Sequence, residues 1–466
     1  MSTQCTTKQL EFLPLKSSTS TKPQRTRKVT GQFDSEKVSS DGGVVLLREA
    51  EHRFRVIKRL SECFTDYRNP DLITHSLFSI VGQRVLGICC GYEDVVDHDQ
   101  FRADPIAGMF CGTSAPLAGK STVNRMELTE SDADSRERYK KIVADFSAMD
   151  RLVVDLFMRF HKKRPKKIIL DIDITDDPLH GDQEGRFYHG YYREYCYAPS
   201  YIFCGRHLLG CRLREANQDS AAGAVDELQR IVSRIRKKWK RTRIIIRGDS
   251  GFCREELMRW CEDNGVDYIF GMSKNLRLMG RVKKEVRKAC VDHRESGEAA
   301  RRFKSFRYCT KKSWSRSRRV VCKAEHLDKG SNTRFVVTSL KHSEYDSRTL
   351  YERVYCARGE MENRIKAQQL ELFADRTSTH WMRSNQLRMY FSAFAYVLLE
   401  CLRRSGLKGT RYYMAQCDTI RLKLLKVGTL VRESARRIRL SFSESYPYGD
   451  LFRHALRKLQ AIPLNC

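Results

Sequence analysis

Residues 166 to 185 read KKIILDIDITDDPLHGDQEG, and this stretch decides the fold because its side chains alternate in character. One face of the predicted strand consists of Ile168, Leu170, Ile172 and Ile174. The other face consists of Ile169, Asp171, Asp173 and Thr175. Successive side chains of a strand point to opposite faces, so both aspartates lie on one face. Carboxylates in an apolar strand are costly without a cationic partner, which predicts a functional site on that face.

The composition indicates a partner of negative charge. The 466 residues include 87 Lys plus Arg against 57 Asp plus Glu, a formal net charge of +30. An excess of this size over a folded chain predicts binding to a polyanion, of which nucleic acid is the commonest. A hydrophobic content of 41% is sufficient for real cores, and the length predicts two or three domains.

Membrane and extracellular classes are not favoured. The longest apolar stretch, YFSAFAYVLLECL at 390–402, is shorter than the roughly 20 residues that span a bilayer. The first residues lack the layout of a signal peptide. The 17 cysteines form no C-x-x-C pair, so we expect reduced thiols and no disulfide framework. These features predict a soluble cytoplasmic protein without a membrane segment.

The periodicity predicts an α/β fold of several parts. We expect a mostly disordered basic tail over 1–34, a helical N-terminal domain over 35–150 and a helical C-terminal region over 401–466. Between them, 160–272 and 342–400 form the α/β core, in which RIIIRGD and VDYIFGM are strands around a helix. Residues 273–341 interrupt this core as a β-rich insertion of short strands.

Three acidic positions lie where α/β proteins place chemistry. Asp173, with Asp171 beside it, is on the central strand, Asp249 ends RIIIRGD, and Glu362 is on a later helix. If they converge, the oxygen ligands suit Mg²⁺ or Mn²⁺. Two such ions about 4 Å apart activate water and stabilise the leaving oxygen of a phosphodiester.

Each of these carboxylates also has a structural interpretation. An aspartate at a strand end commonly caps the next turn, and Glu362 is one turn from Lys366, with which it could pair. Asp176 and Asp177 precede Pro178 and are interpreted as turn residues or as support for the ligands.

Long motifs add a resemblance to a known family. The segments are LDIDITDDPLHGDQEGRFYHGYYREYCYAPSYIFCG, RGDSGFCREELMRWCEDNGVDYIFGMSKN and YERVYCARGEMENRIKAQQLELFADRTS, in this order. They closely resemble the DDE transposases of bacterial insertion sequences, group 1, over roughly 35–440. The resemblance implies a ribonuclease H-like catalytic core with a β-rich insertion. It also implies cut-and-paste transposition with Mg²⁺.

Residue by residue, the resemblance gives Asp173, Asp249 and Glu362 as catalytic metal ligands. Asp171 is the alternative to Asp173. The family's pattern of Tyr, Arg and Glu falls on Tyr355, Arg358 and Glu362, so Tyr355 and Arg358 are expected to contact DNA. The pattern continues with a Lys where this chain has Gln369, and Lys366 on nearly the same face is the candidate replacement.

Several aromatic, histidine and cysteine residues were open to more than one interpretation. Trp314, in the basic stretch KKSWSRSRR, is either a core residue or the acceptor of a flipped base, as in related transposases. Tyrosines at 188, 191, 192, 195, 197 and 201 could stack on unpaired bases, although cross-strand packing is the commoner cause. The His and Cys residues at 180, 189, 196, 204 and 207 match no compact zinc pattern. GDSG at 248–251 lacks the context of a serine protease.

The sequence therefore predicts a Mg²⁺-dependent DNA transposase, with Mn²⁺ as a possible substitute and two ions in the site. Its partners would be the terminal inverted repeats of its element and the target DNA, bound by a homodimer when two ends are synapsed. The N-terminal domain and the tail would supply most end recognition. The alternatives are an inactive DNA-binding derivative and a structure-specific nuclease.

Overall fold

The computed structural model describes residues 10–19 and 22–464, and it contains strands β1–β18 and α-helices α1–α16. The strands are β1 (Leu10–Thr19), β2 (Lys22–Gly31), β3 (Val38–Ser39), β4 (Phe64–Asp66), β5 (Ile142–Ala144), β6 (Lys167–Ile174), β7 (Asp177–Pro178), β8 (Phe187–His189), β9 (Glu194–Tyr197), β10 (Ser200–Cys204), β11 (His207–Arg212), β12 (Arg243–Gly248), β13 (Asp267–Met272), β14 (Ala300–Tyr308), β15 (Arg318–Leu327), β16 (Gly330–Thr338), β17 (Thr429–Ser434) and β18 (Arg437–Phe442). The helices are α1 (Val44–Phe54), α2 (Val56–Ser61), α3 (Leu77–Cys90), α4 (His98–Phe101), α5 (Pro105–Phe110), α6 (Lys120–Glu127), α7 (Phe146–Arg159), α8 (Ala224–Lys238), α9 (Glu255–Asp263), α10 (Leu276–Arg281), α11 (Lys283–Ser296), α12 (Ser347–Thr349), α13 (Gly359–Lys366), α14 (Met382–Cys401), α15 (Cys417–Ile420) and α16 (Gly449–Gln460).

A mixed sheet of eight strands forms the centre, which confirms the predicted α/β class. Its order is β11-β10-β6-β12-β13-β16-β15-β14. Strand β6 is antiparallel to β10 and parallel to β12, and β12 is parallel to β13. The predicted apolar face of β6 packs into one core, in which Ile168, Leu170 and Ile172 meet the buried stripe of α8. The alternation of residues 167–174 thus leaves the carboxylate face of β6 turned away from that core.

The predicted insertion is joined to the central sheet. Strand β16 pairs antiparallel with β13, and β15 and β14 extend the sheet outward from there. The strands predicted for this insertion are present as β14, β15 and β16, whereas the residues before them form α10 and α11, which were not predicted. Leu278, Val282 and Ala289 are buried, so this stretch follows a helical period that its many charges obscure.

The N-terminal helices and the C-terminal helix α14 share one core. Buried residues of α1, α2 and α3 pack with Tyr390, Phe394 and Leu398 of α14 in a single cluster. Helix α14 is buried along nearly its whole length, and its residues 393–399 are all apolar or aromatic, as expected for a helix buried on every face. The predicted helices of residues 35–150 are therefore present, and they are packed against the C-terminal part of the chain.

Two terminal regions differ from the predictions. Within 1–34, the described residues form β1 and β2, which pair antiparallel, instead of a chain without secondary structure; residues 1–9, 20 and 21 lie outside the described residues. Within 401–466, β17 and β18 form a hairpin, and β17 also pairs with β3. The purely helical prediction was wrong here because the partner strand β3 lies almost 400 residues earlier in the chain.

The segment with the predicted Tyr, Arg and Glu pattern is helical throughout residues 347–371, hereafter the Glu362 segment. It comprises α12, a π-helical stretch Leu350–Tyr355, a 3₁₀ turn Cys356–Arg358, α13 and a second π-helical stretch Ala367–Glu371. Gly359 has ordinary helical angles (φ −55°, ψ −20°), so there is no break at that glycine. Irregular helical turns of this kind frequently occur at functional sites.

The cysteines and helices of the described residues bear on two other predictions. All 15 cysteines in the described ranges are free thiols, most of them buried. No helix within residues 10–19 and 22–464 is long and apolar enough to cross a membrane.

Candidate active site

The pairing of β6 with β12 places two of the predicted carboxylates side by side. The strands run parallel, with Arg247 opposite Asp171 and Gly248 opposite Ile172. The next residues are Asp173 on β6 and Asp249, which directly follows the last residue of β12. Both side chains thus reach the same edge of the sheet, at the ends of neighbouring parallel strands.

Asp171 is buried, and its charge is compensated by Arg247. Its Oδ1 accepts from Arg247 Nε at 2.5 Å and its Oδ2 from Arg247 Nη2 at 2.8 Å. Both side chains are only 7% exposed, and Arg247 also donates to the carbonyl of Val354 in the Glu362 segment. Burial raises the pKa of Asp171, while Arg247 opposes that shift. A bidentate pair of this type fixes the carboxylate and joins β6, β12 and the helix.

Asp173 lies in a different environment. Its side chain is 15% exposed, and its Oδ2 accepts from Arg358 Nη1 at 2.5 Å. Its Oδ1 accepts only from the adjacent backbone N–H of Ile174, at 3.1 Å. Burial raises the pKa of Asp173 to about 6, with Asp249 adding to the rise and Arg358 opposing it. Burial and a like charge both disfavour the ionised form, which is the situation that a bound cation relieves.

Asp249 ends β12 and begins a tight turn, Ser250–Phe252. Its Oδ1 accepts from the N–H of Gly251 at 2.8 Å, so the capping role is real. Asp249 also lines a cavity of about 430 Å³, together with Tyr355 and Arg358. Tyr355 and the turn after Asp249 both lie close to β13, and this requires a glycine at position 271. A Cβ there would lie 2.6 Å from the Tyr355 hydroxyl and 2.9 Å from the backbone nitrogen of Ser250.

Arg358 connects the third carboxylate to this pair. Its Nη2 lies 3.7 Å from Glu362 Oε1, one turn along the Glu362 segment, while Nη1 holds Asp173. The Glu362 side chain is 58% exposed. Lys366, on the next turn, is exposed as well. Arg358 therefore contacts Asp173 directly and Tyr355 lines the cavity with Asp249, whereas Glu362 is linked to them through Arg358.

The donor set fits a divalent cation in part. Asp173 and Asp249 supply adjacent oxygens at the edge of the sheet, whereas Glu362 lies beyond the Arg358 guanidinium. Across residues 10–19 and 22–464, no group of three or more His, Cys, Asp or Glu side chains is arranged to hold a metal ion. The ligand set Asp173, Asp249 and Glu362 stays a prediction.

Gln369, at the position where the family pattern has Lys, binds the loop that follows β6. Its Nε2 donates to the carbonyl of Asp176 at 2.6 Å, and its Oε1 accepts from the Thr175 hydroxyl at 3.3 Å. An amide can form this two-sided contact because it both donates and accepts, which a lysine cannot do. Gln369 thus ties the Glu362 segment to the residues beside Asp173.

Trp314 lies in the loop between β14 and β15, where it is half-buried. Arg318 stacks over its ring at 5.5 Å, and Tyr308 meets it edge-on with ring centres 5.8 Å apart. It also packs against the core of the central sheet. These contacts give the Trp314 side chain a packing role.

The sequence profile of the family "Transposase DDE domain group 1" matches residues 21–464. The chain belongs to this family. No curated protein matches the sequence. Among solved structures, the chain is similar to one described as "Cryo-EM structure of piggyBac transposase synaptic complex with hairpin DNA", at a TM-score of 0.41 and 10% identity over 83% of this chain and 80% of that chain.

Sequence reasoning missed two residues of this family member's site, Arg247 and Gly271. A signal for Arg247 was present, because the two strands read Asp-x-Asp and Arg-x-Asp at their ends. If the second aspartates lie side by side in parallel strands, the Arg must face the first aspartate. Gly271 had no such signal, since its role depends on Tyr355 from a distant segment.

Proposed function

We propose that the protein cleaves DNA at the ends of a mobile element and joins the freed ends to target DNA, with Asp173, Asp249 and Glu362 as its catalytic carboxylates. The observation that carries this proposal is the parallel register of β6 and β12. It sets Asp173 beside Asp249 and pairs Asp171 with Arg247. The same register favours Asp173 over Asp171, because both oxygens of Asp171 are already hydrogen-bonded to Arg247.

The strand order supports a ribonuclease H-like core. In chain order, the first five strands of this sheet are β6, β10, β11, β12 and β13. Numbered 1 to 5, they lie side by side in the order 3-2-1-4-5. The first pairs antiparallel with the second and parallel with the fourth. We interpret this arrangement as the ribonuclease H-like core implied by the sequence motifs, extended by β14–β16.

Asp173, Asp249 and Glu362 would hold the divalent ions, Mg²⁺ or Mn²⁺. Such ions supply Lewis-acid activation of water and stabilisation of the leaving oxygen in phosphodiester cleavage. Arg358 holds Asp173 in position with one nitrogen, and its planar guanidinium has further N–H donors for a DNA phosphate. Tyr355 lines the adjacent cavity, and Lys366 offers an exposed cation one turn further on.

The DNA partner follows from charge. A net charge of +30 favours a polyanion over long contact surfaces, and phosphate contacts would position the ends. We further propose that the N-terminal helices take part in end recognition, that two copies act together in synapsis, and that the protein works in the cytoplasm at the nucleoid.

The direct test is cleavage of the element's terminal DNA in the presence of Mg²⁺. We expect the wild type to nick or cut such an end and Asp249→Asn to leave it intact. Asp328→Asn is a matched control, because that side chain is 94% exposed and lies on the far β15–β16 turn. Equal cleavage by wild type and Asp249→Asn would remove the proposed site.

Two alternatives are separated by the same reaction. A protein that binds the ends without cutting them is the inactive derivative, and one that cuts without joining is a nuclease. Adding labelled target DNA distinguishes the second case, because joined products appear only with a transposase. Short terminal inverted repeats bounded by duplicated target bases around the gene would also favour a mobile element.

A further inference from the structure

A hairpin next to the candidate active site exposes an unusual number of aromatic rings. It comprises residues 186–197, with β8 and β9 as its strands, and is hereafter the aromatic hairpin. Its exposed fractions are 39% for Phe187, 56% for Tyr188, 84% for Tyr191 and 47% for Tyr195. Tyr197, the last residue of the hairpin, and Tyr201, just beyond it, are fully buried. The tyrosines grouped together by sequence thus divide into packing residues and exposed residues.

The exposed rings are held by one another and by arginine. Tyr188 and Tyr195 are cross-strand partners whose rings meet edge-on at 5.6 Å. Tyr191 meets Tyr192 in the same way at 5.1 Å. The Arg186 guanidinium lies over the Tyr195 ring at 4.2 Å. Edge-on contacts fix ring orientation while leaving ring surface open to a ligand.

The aromatic hairpin is anchored beside Asp173. Its strand β9 pairs with β7, which begins only three residues after β6 ends. Tyr192 packs with Ile174 against a small buried cluster that includes Cys196 and Ala198. Ile174 directly follows Asp173, so this packing places Tyr192 at the end of β6 that carries the proposed ligand.

We propose that the aromatic hairpin is a stacking surface for unpaired bases of the DNA strand next to the cleaved bond. Aromatic side chains stack on any base, and nearby cations neutralise the backbone between the bases. Arg186 and the exposed Arg193 supply that charge. The inference rests on the proposed function, because it takes the DNA to be held at Asp173.

Charge decides against a second copy of the chain as the occupant. Two copies each carry +30, and the aromatic hairpin itself has two arginines, so like charges would meet there. Exposed aromatic patches normally mark an interaction site. An anionic ligand with flat, apolar bases matches both the rings and the arginines. Trp314, the other candidate for base contact, is half-buried and packs against the core of the central sheet.

The test measures binding of the full chain to two end DNAs without divalent metal, one blunt and one with a single-stranded extension carrying 2-aminopurine. We expect the extension to tighten binding and the fluorescence of 2-aminopurine to be quenched by stacking. Tyr191→Ala and Tyr188→Ala should each lose about fivefold or more of the affinity for the extended DNA and little for the blunt one. Tyr191→Phe should retain both signals because the ring remains.

Controls make the result specific to this hairpin. Phe442→Ala removes a ring of β18 that is 39% exposed, outside the regions proposed to bind DNA, and should change neither affinity. Equal affinity of wild type and the Tyr188→Ala, Tyr191→Ala double variant for the extended DNA would overturn the proposal. So would a fall in solution mass of the double variant, which would assign the rings to self-association. Because no cleavage is measured, failure of the catalytic site would appear only in the Mg²⁺ reaction of Asp249→Asn.

Discussion

The two aspartates of β6 are two residues apart on one face of one strand, and their environments are opposite. Asp171 is buried with both oxygens bound by Arg247, a residue of the neighbouring strand. Asp173 faces the like charge of Asp249 and is held at one oxygen by Arg358, which comes from a helical segment. The first carboxylate links neighbouring strands of the sheet, and the second is the one that we propose as a metal ligand.

The difference shows that register across the sheet assigns the roles of identical residues. The two parallel strands end in Asp-x-Asp and Arg-x-Asp. The first positions, Asp171 and Arg247, form an ion pair, and the last positions, Asp173 and Asp249, bring two like charges together. A buried ion pair is costly to break, whereas adjacent carboxylates are costly to hold without a cation. Mutations of the two aspartates should therefore separate stability from activity.

The largest expected effect is on cleavage. Asp173→Asn should lower the rate of end cleavage with Mg²⁺ by about 10³-fold, since loss of a metal ligand removes several kcal/mol of transition-state stabilisation. Its unfolding midpoint in denaturant should be equal to or higher than that of the wild type. Normal cleavage by a folded Asp173→Asn protein would contradict the assignment.

The next effect is on stability. Asp171→Ala should lower the free energy of unfolding by about 3–5 kcal/mol, because Arg247 is left buried without its partner. Urea unfolding followed by circular dichroism measures this change. The double replacement Asp171→Leu with Arg247→Met should recover most of the loss, since both charges are then absent. A single variant as stable as wild type would show that the pair has no structural role.

A smaller effect depends on pH. The pKa of Asp173 is raised from 3.8 to about 6 on folding, so between these values the folded protein retains a proton that the unfolded chain has lost. Asp173 therefore destabilises the fold increasingly as the pH rises from about 4 to 6, by on the order of 3 kcal/mol above that range. With a metal chelator present, Asp173→Asn should gain stability over wild type across this interval. A difference that does not change between pH 4 and pH 7 would refute this prediction.

The smallest effect concerns Gln369. Gln369→Ala removes its bonds to Thr175 and Asp176 and should cost about 1 kcal/mol of stability, with a moderate loss of cleavage rate. Leu370→Ala, at a side chain that is 66% exposed, is the neighbouring control. If both variants cleave like the wild type, Gln369 has no part in positioning the loop beside Asp173.

Much of this arrangement was available from the sequence. The alternation of residues 167–174 predicted both the buried and the carboxylate face of β6, and the motifs predicted the family. The sequence favoured Asp173 over Asp171 only through the family resemblance, because the strand that carries Arg247 lies 76 residues away in the chain. The helices α10 and α11 were missed because charged residues cover a short apolar stripe, and β17 was missed because its partner is at the other end of the chain.

The most direct test of the central claim is a metal switch at the two aspartates of β6. Asp173→Cys and Asp171→Cys are compared for end cleavage in Mg²⁺ and in Mn²⁺. A thiolate is a poor ligand for hard Mg²⁺ and a better one for the transition metal Mn²⁺. We predict that Asp173→Cys is inactive with Mg²⁺ and regains cleavage with Mn²⁺, while Asp171→Cys shows no such preference. A recovery with Mn²⁺ at Asp171→Cys, and none at Asp173→Cys, would contradict the account.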